Sequence, residues 1–192
     1  MKALIFDLYD TLVTITNKTS PYSYLLKHLN DTNEKYSVVT NIMTKDVDVL
    51  EFCNQLLDTN ILNDAFEYKM FSDLLNSEID SVILLPETEE VLKRLKQKYR
   101  LFLLSNLSTP YKNPFYKLNL SDYFEKAFFS CECGDKKPNS TFYKKVVDYS
   151  GLNKEDFIMI GDNPISDFKG ANDFGIQAIL KDSLIKELTK NL

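Results

Sequence analysis

Short apolar segments recur along the chain, each rich in β-branched or aromatic residues and bounded by polar or turn-forming residues. Segments of this length and composition are typical of buried β-strands. The predicted strands are Lys2–Phe6, Leu101–Ser105, Lys126–Ser130, Phe157–Ile160 and Ile176–Leu180.

Between the later strands, apolar residues recur at the spacing of an amphipathic helix. The predicted helices are Glu87–Tyr99, Thr141–Ser150 and Ser166–Phe174, and Gly175 is well suited to end the last one. Because strands and helices alternate, the sequence predicts an α/β fold, a doubly wound, Rossmann-like parallel sheet with helices on both faces.

The interval from about Thr16 to Ser81 has a different pattern. It contains no convincing strand, and its apolar residues recur at helical spacing. We therefore predict that residues 16–80 form a small all-helical domain, inserted after the first strand and lying over the carboxyl edge of the sheet. The α/β core would consist of residues 1–15 and 81–192.

Composition narrows the class of protein further. The chain has 192 residues and a net charge of −5, which disfavours non-specific binding to nucleic acid. No apolar run approaches the roughly 20 residues of a membrane span, and the N-terminus resembles a strand more than a signal peptide. The cysteines are Cys53, Cys131 and Cys133, and His28 is the single histidine. This set favours neither a disulfide framework nor a zinc site, so we expect a reducing, cytoplasmic location.

Polar residues directly follow the predicted strands. Asp7 follows the first strand, Ser105-Asn106 closes the second, Lys137 comes after the third, and the segment from Gly161 to Asp167 closes the fourth. Taken singly, each is ordinary turn or capping chemistry. Because the carboxyl ends of parallel strands meet at one edge of a sheet, we expect these side chains to converge.

Converging carboxylates would affect one another electrostatically. Asp7, Asp162 and Asp167 would repel, so their pKa values should rise, and Lys137 would offset only part of that repulsion. A hard divalent cation would remove the conflict. The simpler interpretation is that Asp162 and Asp167 only cap the following helix, but both acids at this spacing favour a metal site.

These four motifs, in this order, resemble the signatures of the haloacid dehalogenase-like hydrolase superfamily, across residues 1–14 and 82–182. The resemblance implies that Asp7 is a nucleophile, oriented by Thr11, that forms a covalent aspartyl intermediate. It further implies that Ser105 and the amide of Asn106 hold a phosphoryl group whose charge Lys137 neutralises. Mg²⁺ would be bound by Asp7, the carbonyl of Tyr9 and Asp162, with Asp167 supporting the ion or its waters.

One position departs from the phosphatase pattern of that superfamily. Phosphatases carry an acid/base Asp two residues after the nucleophile, and here Tyr9 occupies that position, with Asp10 one place later. Tyr9 and Tyr143 resemble the dehalogenase branch. However, that branch uses a cap arginine and a metal-free last motif, whereas this chain has no arginine before Arg94 and carries both Asp162 and Asp167.

The preferred interpretation is a magnesium-dependent phosphatase acting on a small phosphorylated metabolite, either slow or restricted to activated esters. A 2-haloacid dehalogenase and a catalytically weak protein that binds a phosphorylated ligand are the alternatives. No membrane or nucleic-acid partner is expected. No pattern in residues 16–80 identifies the substrate, and none sets the oligomeric state.

Overall fold

The computed structural model of the chain describes residues 2–181. Its strands are β1 Ala3–Phe6, β2 Val13–Ile15, β3 Val82–Leu84, β4 Arg100–Ser105, β5 Lys126–Phe129, β6 Phe157–Gly161 and β7 Gln177–Leu180. Its α-helices are α1 Pro21–Lys27, α2 Lys35–Thr44, α3 Val49–Asp58, α4 Tyr68–Asp80, α5 Thr88–Lys96, α6 Asn113–Lys117, α7 Ser130–Cys133, α8 Ser140–Ser150 and α9 Gly170–Phe174. Short 3₁₀ helices cover Thr32–Glu34, Thr109–Lys112, Leu120–Tyr123 and Lys154–Asp156, and a π-helix covers Pro164–Lys169.

The main sheet of the described residues is parallel, with the strand order β5-β4-β1-β6-β7. The central strand β1 pairs with β4 on one side and with β6 on the other, so Phe6 lies between Leu103 and Ile160. This arrangement confirms the predicted doubly wound α/β fold. The predicted strands match the main-sheet strands to within one residue at each end. The parts of the predicted core at Met1 and beyond Lys181 lie outside the described residues.

Each strand of the sheet sends alternate side chains to opposite faces, as the two-residue period of a strand requires. Leu4 and Phe6 belong to one buried cluster, whereas Ala3 and Ile5 belong to the other. Helix α8 packs on the second face through Phe142, Tyr143 and Val146, which are all fully buried. Both faces of the sheet are therefore covered, and this burial explains why successive residues of a strand are all apolar.

Residues 21–80 contain helices α1 to α4, as predicted for this interval. The prediction missed a second, antiparallel sheet at its boundaries, in which β2 pairs with β3. The hydrogen bond from Thr16 Oγ1 to the Ser81 carbonyl, 2.7 Å long, extends this pairing. Three-residue strands are too short to produce a detectable period, and that explains the omission. The pairing brings both ends of the helical interval together.

The helical interval packs against loops at the carboxyl edge of the main sheet. Helix α2 contacts α7, which follows β5 directly. The Tyr22 hydroxyl lies 2.5 Å from Ser108 Oγ, and Thr109 Oγ1 donates to Asp46 over 3.0 Å. The apolar residues of α1 to α4 and one face of the sheet form a single buried cluster. Within residues 2–181, no helix combines the length and the apolar character needed to cross a membrane.

Two predicted helices differ in extent from those of the structure. Helix α5 ends at Lys96, three residues before the predicted end at Tyr99. The predicted helix Ser166–Phe174 begins earlier, at Pro164, and its first part is a π-helix. Asn163 explains that earlier start, because its side chain accepts hydrogen bonds from the amides of Ile165 and Ser166 and so caps the helix.

Candidate active site

The ends of β1, β4 and β6 lie side by side, which places Asp7, Ser105 and Gly161 at one edge of the sheet. The amide of Asp7 continues the β1–β6 ladder by donating to the Ile160 carbonyl over 2.9 Å. Asp7 is 8% exposed and Ser105 is 1% exposed, so both residues are buried at this edge of the sheet. The predicted convergence of strand-end residues is present in the structure.

Lys137 is the buried cation of this edge. Its Nζ lies 2.6 Å from Asp7 Oδ1 and 2.7 Å from Asp167 Oδ1, and its side chain is 1% exposed. Burial lowers the pKa of Lys137, but the attraction of Asp7 and Asp167 outweighs burial and leaves the pKa raised. The lysine therefore stays protonated and bridges the two acids.

The side chain of Asn106 positions Lys137, a role that the sequence did not indicate. Asn106 Nδ2 donates to the Lys137 carbonyl and Asn106 Oδ1 accepts from the Lys137 amide, both over 2.8 Å. The amide group therefore ties the loop after β4 to the loop that carries the lysine. The expected role of Asn106 rested on its backbone amide instead, which is compatible with this side-chain pairing.

Asp167 approaches the end of β6 closely because residue 161 is glycine. A Cβ atom at position 161 would lie 2.3 Å from Asp167 Oδ2, closer than any packing allows. The amide of Asn163 donates to the same Oδ2 atom over 3.0 Å. The absence of a side chain at Gly161 leaves room for the Asp167 carboxylate. The amide of Asn163 holds one oxygen of that carboxylate, and the other oxygen pairs with Lys137.

Asp7, Asp162 and Asp167 form a cluster in which one carboxylate oxygen from each lies within 4.8 Å of the others. Burial raises the pKa of Asp7 to about 6, with Asp167 and Asp162 adding to the rise and Lys137 opposing it. Burial and the neighbouring Asp167 also raise the pKa of Asp162. Burial is the larger cause of both rises, and repulsion among the carboxylates adds to it. Three clustered carboxylates, of which Lys137 pairs with Asp7 and Asp167, fit a hard divalent cation, which prefers oxygen ligands.

Thr11 does not have the expected partner. Its hydroxyl lies 3.5 Å from Asp162 Oδ1, and the expected hydrogen bond to Asp7 is not found among the described residues. The chain turns tightly here, with the Leu12 amide donating to the Leu8 carbonyl and Asp10 in the left-handed region at φ 53°. This turn brings the Thr11 hydroxyl to the side of Asp162, and its orienting role on Asp7 stays a prediction.

Tyr9 points away from the carboxylate cluster. Its hydroxyl donates to the Tyr111 carbonyl over 3.0 Å, and the two rings meet edge to face at 5.7 Å. Burial, followed by the nearby Glu78 and Tyr22, raises the pKa of Tyr9 above its usual value. The Tyr9 hydroxyl therefore stays protonated, and its proton is used in the hydrogen bond to the Tyr111 carbonyl. Asp10 is exposed and accepts a hydrogen bond from Thr14, so it does not replace the missing acid.

Tyr143 has a packing role in the structure. It is fully buried, its hydroxyl donates to the Ser166 carbonyl, and its ring stacks on Phe174 at 5.8 Å. These contacts account for a tyrosine at this position without any catalytic task. The resemblance of Tyr143 to the dehalogenase branch therefore adds no support for that activity.

Fold and site together define a doubly wound α/β protein with a carboxylate–lysine site at the carboxyl edge of its sheet. The family model described as haloacid dehalogenase-like hydrolase matches residues 1–175. The chain belongs to the haloacid dehalogenase-like hydrolase family.

Individual relatives are more distant. A glyceraldehyde 3-phosphate phosphatase of Methanothermobacter thermautotrophicus is 30% identical over 108 residues, which are 55% of this chain and 48% of that protein. This chain therefore spans about half the length of that curated relative.

Two solved structures show the same fold at low identity. A HAD family enzyme of Bacteroides thetaiotaomicron, crystallised with magnesium and inorganic phosphate, is 21% identical and has a TM-score of 0.71 over 94% of this chain and 93% of its own. A 2-haloacid dehalogenase of Pseudomonas syringae is 18% identical and has a TM-score of 0.64 over 94% of this chain and 86% of its own. The fold is thus shared with both of these proteins, and the fold alone does not identify the activity of this chain.

Proposed function

We propose that this protein is a magnesium-dependent phosphatase that hydrolyses a small phosphorylated metabolite through an aspartyl-phosphate intermediate on Asp7. The observation that carries the proposal is the position of Lys137, buried between Asp7 and Asp167 at 2.6 and 2.7 Å. A buried cation beside a carboxylate at a strand end suits an anionic phosphoryl group next to an anionic nucleophile.

The reaction divides into two steps at Asp7. A carboxylate oxygen of Asp7 attacks phosphorus, and the bond from phosphorus to the leaving oxygen breaks with its electron pair. Water then attacks the aspartyl phosphate, which restores the carboxylate and releases inorganic phosphate. Lys137 would balance charge in both steps, while Ser105 and the Asn106 amide would hold the phosphoryl oxygens.

Asp7, Asp162 and the carbonyl of Tyr9 would hold the magnesium ion, with Asp167 beside them, and the ion would supply Lewis-acid polarisation of the phosphoryl group. The donor set supports this assignment, because three carboxylates lie within reach of one another and the pKa values of Asp7 and Asp162 are raised. A divalent cation would relieve that repulsion.

Residues 16–80 would act as a helical cap over the site, and residues 1–15 and 81–192 as the catalytic core. The contacts of Tyr22 with Ser108 and of Asp46 with Thr109 support this division, since both join the helical interval to the loop after β4. The paired strands β2 and β3 would be the hinge through which the cap is attached.

The positions of the arginines argue against the alternative of a 2-haloacid dehalogenase. Arg94 and Arg100 are the arginines of the chain, and they pair with Glu90 and Glu125 on the core. Neither would cradle a halide beside Asp7. The observation that favours the alternative is Tyr9, which offers no acid to a leaving group.

Parallel assays of the purified protein would test the proposal. We expect release of inorganic phosphate from acetyl phosphate with Mg²⁺, its loss with excess chelator, and no halide release from 2-chloropropionate. Borohydride reduction of the enzyme during turnover should convert Asp7 to homoserine, which peptide mass spectrometry detects. Halide release that persists in chelator would overturn the proposal in favour of the dehalogenase, whereas neither activity would favour a ligand-binding protein.

A further inference from the structure

A cavity of about 290 Å³ opens beside the site. It begins at Tyr9, Asp10 and Asn106, which lie next to the nucleophile and the phosphoryl-holding loop. It continues between the helical cap and the core. The lining residues are Tyr9, Asp10, Ile15, Lys18, Tyr22, Met43, Glu78, Asn106, Leu107, Ser108 and Tyr111.

Three tyrosine rings dominate the walls of this cavity, which we name the tyrosine pocket. Tyr111 lies between the other two, 5.7 Å from the ring of Tyr9 and 5.9 Å from the ring of Tyr22. The side chains of Ile15, Met43 and Leu107 complete an apolar lining. Rings of this kind favour contact with another aromatic ring.

The hydroxyls of the three tyrosines are hydrogen-bonded within the protein. The Tyr9 hydroxyl donates to the Tyr111 carbonyl, and the Tyr111 hydroxyl donates to Glu78 Oε1 over 2.5 Å. The Tyr22 hydroxyl pairs with Ser108 Oγ. The Tyr9 and Tyr111 hydroxyls therefore have no proton left for a ligand, and a buried ligand oxygen that needed one from them would stay unpaired, which costs about 1–3 kcal/mol for each such group. The walls therefore favour an apolar ring over a polyol.

Glu78 adds a constraint on charge. It is 7% exposed, and its Oε2 accepts hydrogen bonds from the amide of Ser20 and the hydroxyl of Thr19. A buried carboxylate held in place behind the rings repels a second anionic group on the ligand. The exposed Lys18 is too well solvated to offset this fully.

The size of the pocket limits the ligand. A cavity of about 150 Å³ accommodates benzene, and ligand pockets begin near 300 Å³. At about 290 Å³, the tyrosine pocket has room for one or two rings.

We propose that the tyrosine pocket receives the leaving group of the phosphate ester and selects a neutral aromatic group of one or two rings. This inference rests on the proposed phosphatase function and deepens it. The aryl oxygen would depart with the electron pair of the broken bond to phosphorus and take its proton from solvent. An aryl oxygen is a good enough leaving group to need no acid from the enzyme. The committed hydroxyl of Tyr9 and the aromatic pocket therefore indicate the same substrate class.

Calorimetric titration with non-hydrolysable phosphonates tests the pocket without turnover. With Mg²⁺ present, benzylphosphonate should bind about tenfold more tightly than methylphosphonate, because its ring is buried in the pocket. The compound 4-carboxybenzylphosphonate should lose most of that advantage, since its carboxylate would face Glu78. Equal affinity for benzylphosphonate and methylphosphonate would overturn the inference.

A pair of tryptophan variants on helix α2 separates pocket filling from general damage. Met43→Trp places a large ring where the half-buried Met43 lines the pocket, and it should reduce the benzyl-to-methyl ratio to less than about threefold. Ser37→Trp lies on the exposed side of the same helix and should keep the wild-type ratio. An unchanged ratio in a folded Met43→Trp protein would refute the pocket assignment.

Acetyl phosphate distinguishes failure of this inference from failure of the proposed function. It has an activated leaving group and no ring, so it requires the site and not the pocket. Hydrolysis of acetyl phosphate without a benzyl preference leaves the phosphatase standing and removes the tyrosine pocket. Absence of hydrolysis, together with a benzyl preference in calorimetry, removes the phosphatase and retains a binding pocket for aromatic phosphate-like anions.

Discussion

The two sides of Asp7 differ in how their polar groups are satisfied. On the charged side, three carboxylates lie together, one buried lysine pairs with two of them, and the pKa values of Asp7 and Asp162 are raised. On the tyrosine side, the hydroxyls of Tyr9 and Tyr111 both donate to protein acceptors. The charged side therefore carries an electrostatic cost that a cation or an anionic ligand would change, whereas the tyrosine side is already internally satisfied.

This difference assigns separate tasks to the two sides. Strained, incompletely neutralised charge is typical of groups that react or bind ions. Hydroxyls that are hydrogen-bonded within the protein, around an apolar cavity, are typical of a binding pocket that excludes water and selects ligands by shape. We infer that chemistry takes place on the charged side and that selectivity is set on the tyrosine side, and the predictions below test this division.

The largest expected effect is on Asp7. Asp7→Asn should lower kcat by roughly 10⁴-fold or more, because it removes the nucleophile while conserving its shape. Hydrolysis of acetyl phosphate at saturating Mg²⁺ measures the loss. The matched control is Asp148→Asn, which alters an exposed carboxylate paired with Lys144 on α8 and should stay within twofold of wild type. Residual activity near the wild-type level would contradict a covalent role.

The same substitution should stabilise the metal-free protein at neutral pH. The folded-state pKa of Asp7 is about 6, above its ordinary value of 3.8, so the cost of ionising it grows as the pH rises from about 4 and is complete above about 6. Removing the charge should therefore raise the free energy of unfolding by roughly 1–3 kcal/mol at pH 7.5, and by little at pH 4. Urea unfolding in chelator at both pH values measures this difference.

Removing a metal ligand should have the next largest effect. Mg²⁺ at 100 times its Kd stabilises by about 2.7 kcal/mol, which corresponds to about 5–10 °C in Tm for a chain of this size. Asp162→Asn should remove most of this shift and lower kcat by roughly 10²-fold or more. Thermal unfolding with and without Mg²⁺ is the measurement. A full Mg²⁺ shift in the variant would place the metal elsewhere.

The charged side of the site could be predicted from the sequence, whereas the tyrosine side could not. Asp7, Ser105 and Asp162 lie at or just after strand ends, Lys137 lies in the segment after β5 and α7, and parallel strands bring such positions to one edge whatever the details of packing. Sequence order alone was therefore enough to place them together.

The tyrosine side could not be read in this way. Tyr22, Glu78 and Tyr111 come from α1, α4 and the loop after β4, and only the packing of the cap on the core brings them together. One signal was available: Glu78 shares the buried face of α4 with Phe71 and Leu75, and an acid at such a position requires buried partners. The sequence did not say what those partners were.

A smaller effect is expected at Gly161, which links the two motifs of the charged side. Gly161→Ala would place Cβ 2.3 Å from Asp167 Oδ2, so the carboxylate must move away from Lys137. We expect a loss of about 1–3 kcal/mol in stability together with a clear fall in kcat. Gly151→Ala is the control, because it imposes backbone strain at φ +70° of about 1–2 kcal/mol far from the site. Equal kcat for the two variants would mean that the position of Asp167 is unimportant.

The smallest effects should come from Tyr9, the residue on which the division between the two sides depends. Tyr9→Phe removes one hydrogen bond to the Tyr111 carbonyl and keeps the ring, so stability should fall by about 1 kcal/mol. For 4-nitrophenyl phosphate, kcat/KM should stay within about threefold of wild type, since an aryl oxygen needs no proton from the enzyme.

Tyr9→Asp should raise the ratio of ethyl to 4-nitrophenyl phosphate hydrolysis, because an alkoxide does need a proton as it departs. The gain should be about tenfold, well below the full general-acid factor, since the new carboxylate is not held at the leaving oxygen and lies close to Glu78. If Tyr9→Phe instead lost more than about 30-fold in kcat/KM, the Tyr9 hydroxyl would be a participant in the chemistry and the tyrosine side would not be a wall.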